Sequence, residues 1–208
     1  MMVSEIFESI EGEGPRQGLP ALFVRFAGCS LRCSWCDTAY AQNREDGAEM
    51  TTDELLDAIG ASACEWVVLT GGEPLEQATP EVVDAILDMG RRVEIETNGA
   101  RDIAPYLKEG VEVIMDWKLP SSRMERHMLY DNLLLLRPCD TLNLVIANDE
   151  DIAHAKRLPN VEARVQVTPC AGSMNLRKLS EVVMDMGGRW RMAYQLHKLI
   201  WPNEERGV

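Results

Sequence analysis

The sequence predicts an α/β fold, a partial (open) TIM-like barrel of about six β/α units. Three observations predict it. Short apolar runs alternate along the chain with segments whose apolar residues recur at helical spacing, and such alternation means parallel strands joined by right-handed crossovers. The units are too few to close an eight-stranded barrel. The residues of least ordinary chemistry, in 29–38, 70–74, 97–99, 116–118 and 168–170, all follow the C-terminal ends of proposed strands, the end at which barrels and open parallel sheets bind ligands.

Residues 21–27 (ALFVRFA) form the first strand. Thr51 and Glu54 make a capping box that opens a helix with Leu55, Leu56 and Ile59 on one face. Residues 66–69 are a short strand ending in Thr-Gly-Gly-Glu-Pro. Thr79 as N-cap and Pro80 in the first turn start a second helix, with Val82, Val83, Ile86 and Leu87 at helical spacing and Gly90 as its stop. A strand over 93–97, a brief helix over 103–108, a strand over 111–117 and a helix over 127–136 follow. A strand over 142–146, a helix over 149–158 stopped by Pro159 and a strand over 161–167 come next. Leu176, Leu179, Val182, Val183 and Met186 mark the last amphipathic helix, ended by Gly187 and Gly188. Segment 8–15 (ESIEGEGP) carries three carboxylates and two glycines ahead of any regular strand. It reads as a solvated turn or as a flap that folds back over the barrel mouth.

At 208 residues the chain suits one core and a single domain over residues 1–208. Lys plus Arg at 21 against Asp plus Glu at 34 leaves a net charge of -13, a surface that repels phosphate backbones and argues against nucleic acid as a direct partner. No apolar run approaches membrane-spanning length, and no basic region precedes an apolar stretch at the N-terminus. No membrane partner is therefore expected, and a cytoplasmic location is, where thiols stay reduced.

Cys29, Cys33 and Cys36 stand in a CxxxCxxC array directly after the first strand. Soft thiolates crowded into one loop indicate a metal or redox site. Four thiolates would close a cuboidal iron-sulfur cluster, and three leave one iron open to a ligand that is not protein. A structural zinc normally needs a second cysteine pair, and Cys64, Cys139 and Cys170 stand alone. Spacing alone favours the cluster and leaves zinc and thiol redox chemistry open.

Gly71 and Gly72 allow close backbone approach to a bound group, or a plain strand-to-helix turn. Glu73 either accepts hydrogen bonds from a ligand ammonium or faces water. Arg25, inside an otherwise apolar strand, requires an anion, supplied by an internal Glu or by a substrate carboxylate. In the apolar tail 194–202, His197 reads as structural.

Taken together, residues 5–15 (EIFESIEGEGP), 23–29 (FVRFAGC), 33–38 (CSWCDT), 70–74 (TGGEP), 96–99 (ETNG) and 195–198 (QLHK) make the chain resemble the radical S-adenosylmethionine superfamily, and within it the 7-carboxy-7-deazaguanine synthase family. The resemblance spans nearly the whole chain and implies a radical SAM core. It implies a 4Fe-4S cluster on Cys29, Cys33 and Cys36, whose open iron chelates the methionine end of S-adenosylmethionine. Trp35, Cys36, Asp37, Gly72, Glu73, Gly99, Asp116, Trp117 and Lys118 would line that cofactor, and Thr38 would give its oxygen to Mg2+. Ile10, Glu11, Gly12, Arg25, Thr97, Gln195 and His197 would grip a pterin, Arg25 taking its carboxylate; in the family a Gln commonly stands where Glu11 is. Segments 1–20 and 189–208 would pack over the mouth.

The reaction implied is the radical ring contraction of 6-carboxy-5,6,7,8-tetrahydropterin to 7-carboxy-7-deazaguanine with loss of ammonia, on the way to queuosine or archaeosine. A reducing electron donor such as flavodoxin or ferredoxin is implied as partner, and an open barrel this short suggests a homodimer. The alternatives are a glycyl-radical-enzyme activating enzyme and a non-catalytic metal-binding module.

Overall fold

The computed structural model describes residues 1–208. Nine strands form one sheet: β1 (Met2–Ile10), β2 (Pro20–Phe26), β3 (Ala48–Glu49), β4 (Trp66–Gly71), β5 (Arg92–Thr97), β6 (Val111–Asp116), β7 (Thr141–Ile146), β8 (Arg164–Pro169) and β9 (Arg191–Met192). Their order is β3-β1-β2-β4-β5-β6-β7-β8-β9. From β2 to β9 every pairing is parallel, and β1 runs antiparallel to both β2 and β3. The sheet does not close, in agreement with the open barrel expected. Six α-helices accompany it: α1 (Thr52–Ala61), α2 (Pro80–Asp88), α3 (Asp131–Leu135), α4 (Asp149–Ala155), α5 (Leu176–Asp185) and α6 (Leu196–Ile200).

The long parallel strands are apolar throughout on one face, and the other mixes polar residues with a small apolar cluster of Ala21, Phe23 and Val68. Leu22, Val24, Phe26, Val67, Leu69, Val93 and Ile95 pack against Leu55 and Ile59 of α1 and Val82, Val83 and Ile86 of α2. Further along the sheet Val113, Met115, Leu142, Leu144, Ile146 and Val167 pack against Leu133, Ile152 and Leu179. Each such fully buried aliphatic side chain stabilises the fold by roughly 1.5–3 kcal/mol. The alternate positions point to the concave face: Arg25 on β2, Thr70 on β4, Glu94 and Glu96 on β5, Glu112 and Asp116 on β6, Asn143 on β7, Gln166 and Thr168 on β8. Parallel strands covered on both faces would be apolar throughout. Here period two separates a helix-covered face from a polar hollow.

Segment 8–15, expected to precede any regular strand, begins inside β1. That strand is an antiparallel element lying between β2 and the two-residue edge strand β3, and its carboxylates mask it because Glu5 and Glu8 each find a partner on a neighbouring element. Glu5 lies opposite Arg25, Phe7 opposite Phe23, and Glu8 Oε1 accepts the Ser62 hydroxyl at 2.6 Å. The Phe7 and Phe23 rings stack with centroids 5.1 Å apart, worth about 1 kcal/mol beyond their burial.

The helices expected over 103–108 and 127–136 are reduced to single 3-10 turns at Ala104–Tyr106 and Glu125–His127 and the five-residue α3. Asn132 explains the shortening. Its side-chain amide donates to the carbonyls of Gly99 and Arg101 at 3.1 and 2.7 Å and its oxygen accepts the Ile103 amide at 3.3 Å, so this stretch ties down the loop after β5 instead of continuing as helix.

Candidate active site

The cysteine loop leaves β2 at the C-terminal end of the parallel strands, fixed on three sides. At its start the amides of Gly28 and Cys29 donate to the carbonyls of Ala41 and Gln42 at 2.8 and 3.0 Å. Along its length Ser34 donates through its amide to Ser122 O at 3.1 Å and through Oγ to Ser121 O at 2.6 Å, and the Trp35 indole donates to Ser121 Oγ at 3.0 Å. From below, the loop after β4 is pressed against it: Gly72 N donates to Phe26 O at 2.9 Å and Glu73 N to Gly28 O at 2.8 Å.

A Cβ at Gly72 would overlap the Gly28 carbonyl, and Gly71 holds φ at 129°. The two glycines are therefore required by backbone packing between the loops as well as by any ligand. Gly72→Ala is expected to destabilise the protein by about 2 kcal/mol and to lower iron content after anaerobic reconstitution. A melting temperature and iron content equal to the parent's would show that the loops are not locked together.

All three cysteines are free and half-buried. Asn98 Nδ2 donates to Cys29 Sγ at 3.5 Å. Burial pushes the Cys29 thiol up to about 11 and raises that of Cys33 against the pull of Lys118, so a bound cation would release protons on taking the thiolates. The only trio of His, Cys, Asp or Glu ligand atoms lying within 4.8 Å of one another is Glu11, Glu94 and Glu96. The three sulfurs are not gathered as ligands of one tetrahedral ion would be. Three soft donors spread around one loop fit a cluster, where each thiolate takes a different iron on the outside of the cube.

Lys118 and Asp116 face the cysteine loop from the end of β6. The Lys118 ammonium is buried, 3.2 Å from Asp116 Oδ2 and 5.5 Å from the Trp35 ring. Burial opposes its charge, and Asp116 and Cys33 outweigh it. Asp37 is exposed and takes the Lys198 ammonium at 2.8 Å, the Gln195 amide at 3.4 Å and the Thr38 hydroxyl at 3.1 Å. These contacts, Lys198 foremost, outweigh the desolvation imposed by the groups packed around the carboxylate and bring Asp37 down to about 2. The Thr38 oxygen is thus paired with a hard carboxylate beside the cysteine loop.

The tail meets the loop that follows β1. Leu196 N donates to Gly12 O at 2.9 Å, Gln195 Nε2 to Glu13 Oε1 at 2.7 Å, and the His197 ring leaves no room for a side chain at Gly12. Burial lowers the His197 pKa. Gly207 N donates to Glu5 Oε2 at 3.2 Å, and the Arg206 guanidinium lies 4.4 Å from the Tyr40 ring. Glu5 and Tyr40 belong to the Arg25 assembly. Arg25 Nε donates to Glu5 Oε1 at 2.7 Å, and Tyr40 donates its hydroxyl to the same oxygen at 2.7 Å. The internal anion that Arg25 requires is therefore Glu5, its cross-strand neighbour. The two terminal nitrogens of Arg25 make no hydrogen bond within the protein, leaving a planar donor edge on the concave face beside Glu96, which Thr70 also reaches.

Three assignments change. Glu73, expected against the cofactor, is fully buried. Its Oε1 accepts from Leu75 N at 3.0 Å and Thr97 Oγ1 at 2.7 Å, and Oε2 from Asn98 N at 2.8 Å. It is a post joining the loops after β4 and β5, and Thr97, expected on the substrate, spends its hydroxyl on that post. Trp117, expected on the cofactor, turns to the helix side, where its ring meets Tyr130 edge-on at 5.1 Å; at the end of β6 only Asp116 and Lys118 face the mouth. Gly99 holds φ at 75° beside Met115, Ile10 ends β1, and Glu11 and Gly12 form the loop that α6 covers.

Several concave residues have no role in the sequence reading, Arg16, Glu94, Glu112, Asn143 and Gln166, and Glu13 and Glu96 enter it only inside motifs. For Glu94, Glu96 and Glu112 the signal is a charge at alternate positions of VEIET and of VEVIMD, interrupted in the second by Ile114, in strands that parallel pairing would otherwise make apolar. Glu13 is pushed up to about 8 by burial, then by Asp116 and Glu96, and Glu96 to about 7 by burial, then by Glu94. A carboxyl with a raised folded-state pKa contributes stability below its unfolded value of 4.5 and loses it as pH rises through 7–8. The ligand-free melting temperature is expected to fall between pH 6 and pH 9; a rise across that window contradicts the protonation of these groups.

The Radical SAM superfamily profile matches residues 23–121. A 7-carboxy-7-deazaguanine synthase of Thermoplasma acidophilum is 38% identical over 205 residues, covering 97% of each chain. A second protein of that name, from Clostridium acetobutylicum, is 34% identical over 217 residues, covering 99% of this chain and 98% of that one. Among solved structures, QueE from Escherichia coli shares the fold with a TM-score of 0.78 at 23% identity, covering 94% of each chain.

Proposed function

The chain belongs to the 7-carboxy-7-deazaguanine synthase family of radical SAM enzymes, and on that premise we propose that it contracts 6-carboxy-5,6,7,8-tetrahydropterin to 7-carboxy-7-deazaguanine with loss of ammonia. The observation that carries this reading beyond the family is the pairing of three unbridged cysteines with the free guanidinium edge of Arg25, on one concave mouth.

When bound, the 4Fe-4S cluster on Cys29, Cys33 and Cys36 and S-adenosylmethionine together supply the one-electron chemistry that abstracts hydrogen from the pterin. The protein supplies the rest. Lys118, Asp116, Trp35 and the backbone at Gly72 and Gly99 border the space beside the cysteine loop that suits the cofactor. Arg25, held rigid by Glu5 and Tyr40, takes the pterin carboxylate on its two free nitrogens, a charge-assisted fork that fixes the ring. Ile10, Glu11 and Gly12, braced by Gln195 and His197, meet its other edge. Glu96, near 7, and Glu13, near 8, are placed to exchange a proton with the heterocycle around neutral pH. The tail over the mouth excludes water from the reacting ring.

Mg2+ would sit at Thr38, where hydroxyl, carboxylate and substrate oxygens suit a hard ion. A second copy would cover an edge of the open sheet to make a homodimer, and a flavodoxin- or ferredoxin-like cytoplasmic donor would deliver the electron. No helix is long and apolar enough to cross a membrane.

Anaerobic reconstitution with iron and sulfide, followed by assay with dithionite, S-adenosylmethionine and the carboxy-tetrahydropterin, is expected to yield the deazaguanine and ammonia, with Mg2+ raising the rate. A colourless protein holding one zinc, or a reconstituted one that leaves the pterin unchanged, would contradict the proposal.

A further inference from the structure

Below the mouth, oxygens of Glu11, on the loop after β1, and of Glu94 and Glu96 on β5 lie within 4.8 Å of one another. Glu11 Oε1 accepts the Glu13 amide at 2.8 Å. Glu94 Oε2 pairs with Arg16, whose other terminal nitrogen reaches Glu112 Oε2 at 2.8 Å and whose guanidinium lies 3.5 Å over the Trp66 ring. The remaining oxygens, Glu11 Oε2 and Glu94 Oε1, are buried and have no donor. Glu11 is 2% exposed and Glu94 0%. Two bare carboxylate oxygens in one buried site carry desolvation and mutual repulsion, which Arg16 offsets for Glu94 and a single backbone donor offsets only weakly for Glu11. A single proton between them removes one charge and gives each atom a partner.

We infer that Glu11 and Glu94 form an acid pair holding one shared proton, with Arg16 pinning Glu94 as the ionised member so that Glu11 stands in the pocket as a neutral carboxyl. The surroundings leave no other source of neutrality. From its own loop Glu11 faces Glu13 and Arg16, from β5 Glu94 and Glu96, and from β6 Glu112, which shares Arg16 with Glu94. Arg25 on β2 gives its Nε to Glu5 and turns its free edge toward Glu96, donating to neither Glu11 nor Glu94, and His197 on α6, lying against Gly12, is held toward its neutral form by burial. Burial, then Glu94 and Glu96, push the Glu11 carboxyl well above the ordinary range.

The consequence rests on the pterin reading above. A protonated Glu11 behaves like an amide, offering a donor to Glu94 and acceptor capacity to the pocket, without adding a charge that would repel the carboxylate Arg25 holds. Glu94 is then a positioning residue, acting through Glu11 and touching no substrate.

Infrared difference spectroscopy of the ligand-free protein tests the pair directly. At neutral pH the parent is expected to show a protonated-carboxyl C=O band that Glu11→Gln removes. Glu94→Gln, by giving Glu11 an amide donor and letting it ionise, removes the same band, so the test survives if one variant fails to fold. Glu11→Gln is also expected to flatten part of the alkaline fall in melting temperature. As rising pH removes the shared proton, the parent's affinity for the pterin should drop about tenfold more than the variant's, the effect of one buried charge facing another partly screened one.

Absence of a band lost on Glu11→Gln overturns the inference. So does a divalent cation, Mg2+ or Mn2+, that raises the parent's melting temperature in a way Glu11→Gln abolishes, since the trio would then be a metal site. Failure of the pterin to bind either protein, with the band and melting results intact, would count against the proposed substrate and leave the acid pair standing.

Discussion

Replacing Cys33 by alanine is expected to leave a folded protein that retains no iron-sulfur cluster and no activity above background, a loss of at least about a thousandfold on the scale of removing an essential reacting group. Cys33 lies at the centre of the CxxxCxxC array, half-buried at the edge of the larger helix-side core. Its removal deletes one ligand and a small apolar contact. The loop itself is held by backbone and serine contacts that do not involve the thiol, so the fold should lose no more than about 1 kcal/mol. With two thiolates left, a cube has two unprotected irons and is expected to be lost on desalting. Iron and sulfide analysis together with a thermal melt separates the outcomes. Parent-like cluster content in Cys33→Ala would show that the ligand set is wrong.

Arg25→Ala is expected to spare the cluster and to weaken the carboxylated pterin by roughly 30- to 150-fold, the 2–3 kcal/mol typical of hydrogen bonds to a charged group. The effect should appear in KM or Kd more than in cluster content or S-adenosylmethionine binding, because the Arg25 terminal nitrogens face the concave pocket while Nε is spent on Glu5. Part of the loss comes from Glu5, which keeps only the Tyr40 hydroxyl and the Gly207 amide. Arg25→Lys controls for that: it restores a cation for Glu5 without the planar fork, so it should recover stability more fully than affinity. Retained affinity in Arg25→Ala would contradict the assignment of the carboxylate site.

The mouth was legible because its loops sit where strands end. The apolar runs before Cys29, Thr70, Thr97 and Asp116 marked β2, β4, β5 and β6, and parallel topology then required the loops to converge. Pairing between loops was not legible. Glu73 and Thr97 lie 24 residues apart and bond to each other, so both were assigned to ligands when a tertiary contact already used them. A strand end does not present its residues as a unit: period two sends Asp116 and Lys118 one way and Trp117 the other. Strand β1 hid behind Glu5, a charge that a cross-strand Arg25 pairs, and Glu8, which faces solvent and takes the Ser62 hydroxyl. The concave carboxylates carried a signal in their alternation, but Arg16 carried none. Its role depends on a loop bringing it against the middle strands of the sheet, onto Trp66 of β4 and between Glu94 of β5 and Glu112 of β6.

Electron paramagnetic resonance of the anaerobically reconstituted, reduced protein, with and without S-adenosylmethionine, tests the open iron most directly. Three thiolates around a cube with one free corner predict a 4Fe-4S signal whose line shape changes when S-adenosylmethionine is added. A signal indifferent to S-adenosylmethionine, or a colourless protein carrying one zinc per chain, would contradict it.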